Sequence, residues 1–185
     1  MKKILCLAAA LSLCTTVVSA QTPSPTPTPV PSAVATAHPN LTGTWSLNLS
    51  KSDFDQIPPP VSETLAFTQT GPRLTIGVIS DSDRGKENYT LSFPTDGTDT
   101  PTPKDTIPAT AELQILSSKG EWQGGSFVFT EKITYQGNPG TLTSTFTLSP
   151  DGKTLTRVMH ISVDQGDFNT TSVFEKQPAN ASNPV

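Results

Sequence analysis

Apolar and polar side chains alternate with a period of two residues along most of the chain between residues 40 and 177. The first alternating run contains Leu41, Gly43, Trp45, Leu47 and Leu49. Because successive side chains of a β-strand point to opposite faces, this pattern predicts strands with one buried face and one face in water. Similar runs recur up to residue 174, and together they predict eight or nine strands.

Short turn sequences separate the alternating runs. They are TGPR at 70–73, GNPG at 137–140, SPDG at 149–152 and DQGD at 164–167. Short links between neighbouring strands require antiparallel pairing. We therefore predict an all-β fold, an antiparallel up-and-down meander of about eight or nine strands that forms a closed or nearly closed barrel. A two-layer sandwich would also hide the sheet edges, but the regular hairpin spacing favours the meander.

The N-terminal part of the chain predicts export. Residues 1–20 combine Lys2 and Lys3, a short apolar run and a small-residue cleavage site ending at Ala20, which is the pattern of a signal peptide. Residues 21–39 form a Pro/Thr/Ser-rich segment, which we interpret as a disordered tether. Residues 40–177 are then the barrel domain and residues 178–185 a flexible tail. The expected location is periplasmic or extracellular, with attachment to the cell envelope as an alternative.

The charge and the cysteine content of the chain argue against certain functions. The chain has a net charge of −4, and removal of Lys2 and Lys3 with the signal peptide would lower it to −6. An acidic chain is a poor candidate for nucleic-acid binding, which depends on clustered Lys and Arg. Both cysteines, Cys6 and Cys14, lie in the signal peptide, so the domain has no disulfide and no thiolate metal site. We expect a monomer without a membrane span, a metal site or a cofactor.

Four short motifs stand out along the alternating part of the chain: GTWSLN at 43–48, KSDF at 51–54, DGKTLT at 151–156 and VFEKQ at 173–177. They resemble motifs of exported bacterial lipocalin-like proteins, a group of calycin-type β-barrels. The resemblance implies a barrel whose tryptophan, here Trp45, closes one end. It also implies non-covalent binding of a small apolar or amphipathic ligand inside the barrel. The alternative is a structural or protein-interaction module of the cell envelope with a filled core and no ligand, because fold alone does not determine function.

The candidate ligand-binding residues are aromatic or have charges at inward-facing positions. They are Trp45, Phe67, Tyr89, Phe129, Glu131, Phe146 and Arg157. For the aromatic residues we favour the simpler interpretation as plain core, which a domain of this size needs in order to fold. Glu131 is in phase with Phe129, and Arg157 with Leu155, so both charges should point inward. There they could form an ion pair or provide the polar contact of a cavity, unless a β-bulge reverses the phase.

The sequence predicts no catalytic residue. His160 is the only histidine within the predicted barrel domain, and no Gly-x-Ser-x-Gly nucleophile motif is present. We therefore do not expect an enzyme.

Overall fold

The structure is a computed structural model that describes residues 38–83, 85–107 and 111–178. The predicted signal peptide, the predicted tether up to residue 37 and the predicted tail from residue 179 lie outside the described residues. His38, near the end of the predicted tether, stacks on Trp122 with ring centroids 4.8 Å apart.

The described residues form ten β-strands in a single sheet. The strands are β1 (Gly43–Leu47), β2 (Ser62–Thr70), β3 (Arg73–Ser82), β4 (Gly85–Pro94), β5 (Thr100–Pro101), β6 (Leu113–Gln123), β7 (Ser126–Tyr135), β8 (Asn138–Leu148), β9 (Thr154–Val163) and β10 (Gly166–Lys176). A single 3-10 turn, Leu49–Lys51, follows β1. The three prolines at 58–60 lie in the connection to β2, where they cannot interrupt a strand ladder.

All neighbouring strands pair antiparallel, in the order β4-β3-β2-β1-β10-β9-β8-β7-β6-β5. The first strand pairs with both β2 and the last strand, β10, and lies in the middle of the sheet. The sheet curls round on itself, because β4 at one end contacts β6 near the other. The predicted all-β, nearly closed antiparallel barrel is confirmed. It has one strand more than predicted, because β5 is only two residues long and lies within an irregular, proline-rich connection that shows no alternation.

The barrel is incompletely closed between β4 and β6. No continuous ladder joins these strands; instead, the backbone N–H of Gly97 donates to the carbonyl of Gly120 over 3.0 Å, and Asp96 forms an isolated bridge with Glu121. The short β5 pairs with β6 at Ser117 and Ser118. These few bonds replace the ladder that would otherwise protect the two strand edges.

One end of the barrel is formed by the β2–β3, β6–β7 and β8–β9 turns, and we call it the closed end. Five of its aromatic side chains are almost completely buried. They are Trp45, Phe67, Phe93, Phe127 and Phe174. The indole N–H of Trp45 donates to the carbonyl of Leu41 over 2.9 Å, so the ring is fixed in place and its polar atom is satisfied.

Gly120 is required by the packing of the closed end. A Cβ at this position would overlap Cζ of Phe127 and lie 2.6 Å from Cε2 of Phe93. Both rings are buried and cannot move away. We expect Gly120→Ala to lower the free energy of unfolding by about 1–3 kcal/mol, the usual cost of overpacking a core. Urea denaturation measures this cost.

Gly125 provides a matched control for this substitution. It lies in the β6–β7 turn, and a Cβ there would meet nothing within 4 Å. Gly125→Ala should change the free energy of unfolding by less than about 0.5 kcal/mol. Equal effects of the two substitutions would contradict the packing described for Gly120.

Candidate ligand-binding cavity

A cavity of about 70 Å³ lies in the barrel interior, beside the aromatic core of the closed end. Its apolar lining consists of Leu65, Ile76, Val78, Leu91, Phe129, Leu142, Phe146 and Met159. Its polar lining consists of Glu63, Tyr89, Glu131, Ser144 and Arg157. A volume of this size holds about two water molecules at the roughly 30 Å³ that each occupies in the liquid, so the cavity suits only a small guest. An apolar wall with a few convergent polar groups is the usual composition of a small-molecule site.

Continuous strand ladders direct Glu131 and Arg157 into the interior. Glu131 lies on β7 opposite Leu142, and Arg157 lies on β9 opposite Phe146, with no register shift in either ladder. The register shift that the structure does show is in β6, between Ile115 and Ser117. The β-bulge that would have reversed the phase of the two charges is therefore absent from β7 and β9.

Arg157 forms a buried ion pair with Glu63 of β2. Its two terminal nitrogens reach the two carboxylate oxygens at 2.6 and 2.8 Å, and Nη2 also contacts Oγ of Ser172 at 3.2 Å. The guanidinium lies 5.1 Å from the centroid of the Phe174 ring. Burial, the largest single effect, would lower the pKa of Arg157, but the charge and hydrogen bonds of Glu63 together with Tyr89 and Glu131 outweigh it, and the pKa is raised. Arg157 is therefore charged and already has its counterion.

Glu131 has no such partner. Its side chain is 5 % exposed, and Oε1 forms no hydrogen bond to the described residues. Burial raises the pKa of Glu131 to about 8, against a smaller opposing effect of Arg157. At neutral pH the carboxyl group is therefore mostly protonated and can both donate and accept a hydrogen bond.

Tyr89 adds a phenol to the same cavity. It lies on β4 opposite Val78, and its ring is partly buried. Burial raises the pKa of Tyr89 above its ordinary value, and the nearby Glu131 and Glu87 raise it further. The hydroxyl consequently keeps its proton and is a hydrogen-bond donor throughout the physiological pH range.

Comparison with known proteins shows similarity at the level of solved structures. No protein-family model matches the chain, and no curated protein matches it. Zebrafish ileal bile acid-binding protein, solved with cholic acid, aligns with a TM-score of 0.46 and 15% identity over 74% of this chain and 98% of that one. A fatty acid binding protein of Schistosoma mansoni, solved with arachidonic acid, aligns with a TM-score of 0.46 and 14% identity over 74% and 96%.

A secretory abundant heat soluble protein from Ramazzottius varieornatus also aligns, with a TM-score of 0.48 and 11% identity over 74% of this chain and 95% of that one. These similarities are distant. The evidence for the barrel is therefore the strand pairing of this chain itself.

The structure brings together most of the side chains that the sequence marked as candidates. Those that line the cavity are Tyr89, Phe129, Glu131, Phe146 and Arg157. Trp45 and Phe67 lie in the core of the closed end, outside the cavity lining, although the Phe67 ring meets Phe146 edge-on at 5.3 Å. A binding role for these residues stays a prediction.

Sequence reasoning missed Glu63, the partner of Arg157. The predicted possibility was an ion pair between Arg157 and Glu131, whereas the carboxylate bound by Arg157 belongs to Glu63. A signal was present, because Glu63 is in phase with the buried Leu65 and Phe67 of β2. The period of two could have identified it as a third inward charge.

The described residues contain no group of three His, Cys, Asp or Glu side chains placed to hold a metal ion. None of the helices among them has the length and apolar character needed to cross a membrane.

Proposed function

We propose that this domain binds a small amphipathic molecule non-covalently in the barrel cavity, and that it does so as an exported lipocalin-like protein of the periplasm or cell exterior. The proposal depends above all on Glu131, whose buried carboxyl group faces the cavity and lacks a hydrogen-bond partner among the described residues. Buried polar groups are nearly always hydrogen-bonded.

The rest of the lining supports the same proposal. Met159, Phe129 and Leu142 offer apolar contact, while Tyr89 and Ser144 offer hydroxyl groups. A buried polar group without a hydrogen-bond partner destabilises the folded protein. A guest that forms the missing hydrogen bond would recover this free energy on binding. A guest with one polar group and a short apolar body would satisfy Glu131 and fill the space beside it.

The small volume of the cavity favours a second possibility. Typical sites for drug-sized ligands measure about 300–1,000 Å³, and this cavity is only about 70 Å³. A structural or protein-interaction module of the cell envelope would need no ligand, and its cavity would hold only ordered water. Direct detection of a bound molecule separates the two functions.

Native mass spectrometry of the protein purified from its own cells should show a bound small molecule in addition to the chain mass. The matched variant Ser144→Met should remove it, because Ser144 is buried and lies between Phe129 and Met159 across the two neighbouring ladders. Thr141→Met, on an exposed position of the same strand, should keep it. Wild-type protein that is consistently free of ligand would overturn the proposal in favour of the structural module.

A further inference from the structure

We propose that the cavity selects an uncharged ligand whose head group accepts a hydrogen bond, such as a ketone, ester or amide, and rejects a carboxylate of the same length. This inference rests on the proposed function and specifies its ligand class. It follows from the way in which the charged groups of the cavity are already paired.

The cation of the cavity is not available to an anionic ligand. Among the described residues that line the cavity, Arg157 is the only cationic side chain, and Glu63 occupies both of its terminal nitrogens. Glu131 adds a second acidic group to the same space. Glu131 is mostly protonated and adds no positive charge. A ligand carboxylate would therefore be a second anion beside a single cation that Glu63 already neutralises, in a site where burial weakens solvent screening.

The groups that remain unpaired are better matched by a neutral acceptor. Nε of Arg157 is buried and forms no hydrogen bond to the described residues, and an N–H can only donate. The hydroxyl of Tyr89 and the protonated carboxyl of Glu131 can also donate. A carbonyl oxygen accepts such bonds without adding charge, whereas an ammonium group can only donate and would face the charge of Arg157.

Three probes of four non-hydrogen atoms each, small enough for the cavity, test this selection: propan-2-one, acetate and propan-2-ylammonium. Met159 is a convenient reporter, because it lines the cavity and the chain has only one other methionine, Met1. Each probe is titrated into the protein labelled with ¹³C at its methionine methyl groups, in slightly acidic buffer, and the Met159 signal is assigned with Met159→Leu. Propan-2-one should shift this signal saturably and bind at least about tenfold more tightly than acetate or propan-2-ylammonium.

The variant Glu63→Gln should reverse the preference between ketone and carboxylate. Amide substitution removes the counterion of Arg157 but retains the size of the side chain, so acetate should bind the variant at least about tenfold more tightly than it binds the wild type. Exposed Glu87, which lies on β4 outside the cavity lining, provides the control Glu87→Gln, which should leave both affinities unchanged.

The possible outcomes separate this inference from the proposed function. Acetate or propan-2-ylammonium binding the wild-type protein as tightly as propan-2-one would overturn the ligand class while supporting a binding cavity. Failure of all three probes to shift Met159 would overturn both. If Glu63→Gln does not fold, the comparison of the three probes on the wild-type protein still decides the ligand class.

Discussion

Replacing Arg157 by methionine should lower the free energy of unfolding by about 3–5 kcal/mol, the usual cost of removing one partner of a buried ion pair. The side chains of Arg157 and Glu63 are only 12% and 8% exposed, and two short hydrogen bonds join them. Methionine fills much of the arginine volume, so the loss comes mainly from the carboxylate of Glu63, which remains buried without its cation. Urea denaturation at neutral pH measures the effect.

A second substitution distinguishes the lost pairing from lost packing. Combining Arg157→Met with Glu63→Leu removes both charges, and a buried pair replaced by apolar residues often loses little stability. The double variant should therefore be more stable than Arg157→Met alone. Arg73→Met is the matched control, because Arg73 is exposed and bonds only to Ser92 among the described residues, and it should cost less than about 0.5 kcal/mol. An Arg157→Met variant as stable as the control would show that the pair contributes nothing in solution.

The strand pattern of this protein could be predicted from its sequence because it depends on local information. A period of two identifies which residues share a face, and glycine- and proline-containing turns identify where the chain reverses. The same reasoning placed Glu131 and Arg157 on the inner face. It could not identify β5, since a two-residue strand is too short to show any period.

The partner of Arg157 depends on information that is not local. Glu63 is 94 residues away along the chain, and the two meet only because β1 pairs with both β2 and β10 and so brings the halves of the sheet together. Alternation shows that a side chain points inward, but closure of the sheet decides which inward side chains meet. Before the strand order was known, the sequence could therefore not decide whether Arg157 pairs with Glu63 or with Glu131.

The division between core and cavity likewise depends on register. Phe67 and Phe146 both point inward and touch, yet Phe146 lines the cavity and Phe67 does not. The position of an inward side chain along the barrel axis is set by the stagger between strands rather than by the sequence of either strand. Aromatic residues with the same pattern can therefore belong either to packed core or to a binding site.

The polar groups of the cavity make opposite contributions to the stability of the protein. The Glu63–Arg157 pair connects β2 with β9 and satisfies most of its own hydrogen bonds. Glu131 satisfies none through Oε1 and costs stability whenever it is ionised. An unpaired buried carboxyl group lowers the stability of the protein but provides a polar contact at a defined place in the cavity. Such a loss of stability is common at functional sites.

The stability of the protein should decrease as the pH rises from about 5 to about 8, and Glu131 should be the cause. Burial raises the pKa of Glu131 from 4.5 to about 8 in the folded protein. Between these values the folded protein retains a proton that the unfolded chain has released, so each increase in pH favours unfolding. The difference in pKa corresponds to a loss of up to about 5 kcal/mol, complete once the pH exceeds the folded pKa.

The substitution Glu131→Gln tests this assignment, because glutamine has a similar shape and no titratable proton. Free energies of unfolding from urea denaturation at several pH values between about 5 and about 9 should fall for the wild-type protein and stay nearly level for the variant. Glu87→Gln, at an exposed position, should follow the wild type. Four of the described carboxyl groups have lowered pKa values: Asp96, Asp99, Asp151 and Glu175. Their effect on stability has the opposite sign and occurs at more acidic pH, so it does not obscure the effect of Glu131. A decline of equal size in Glu131→Gln would assign the titration to another group and remove the argument that Glu131 is a neutral donor in the cavity.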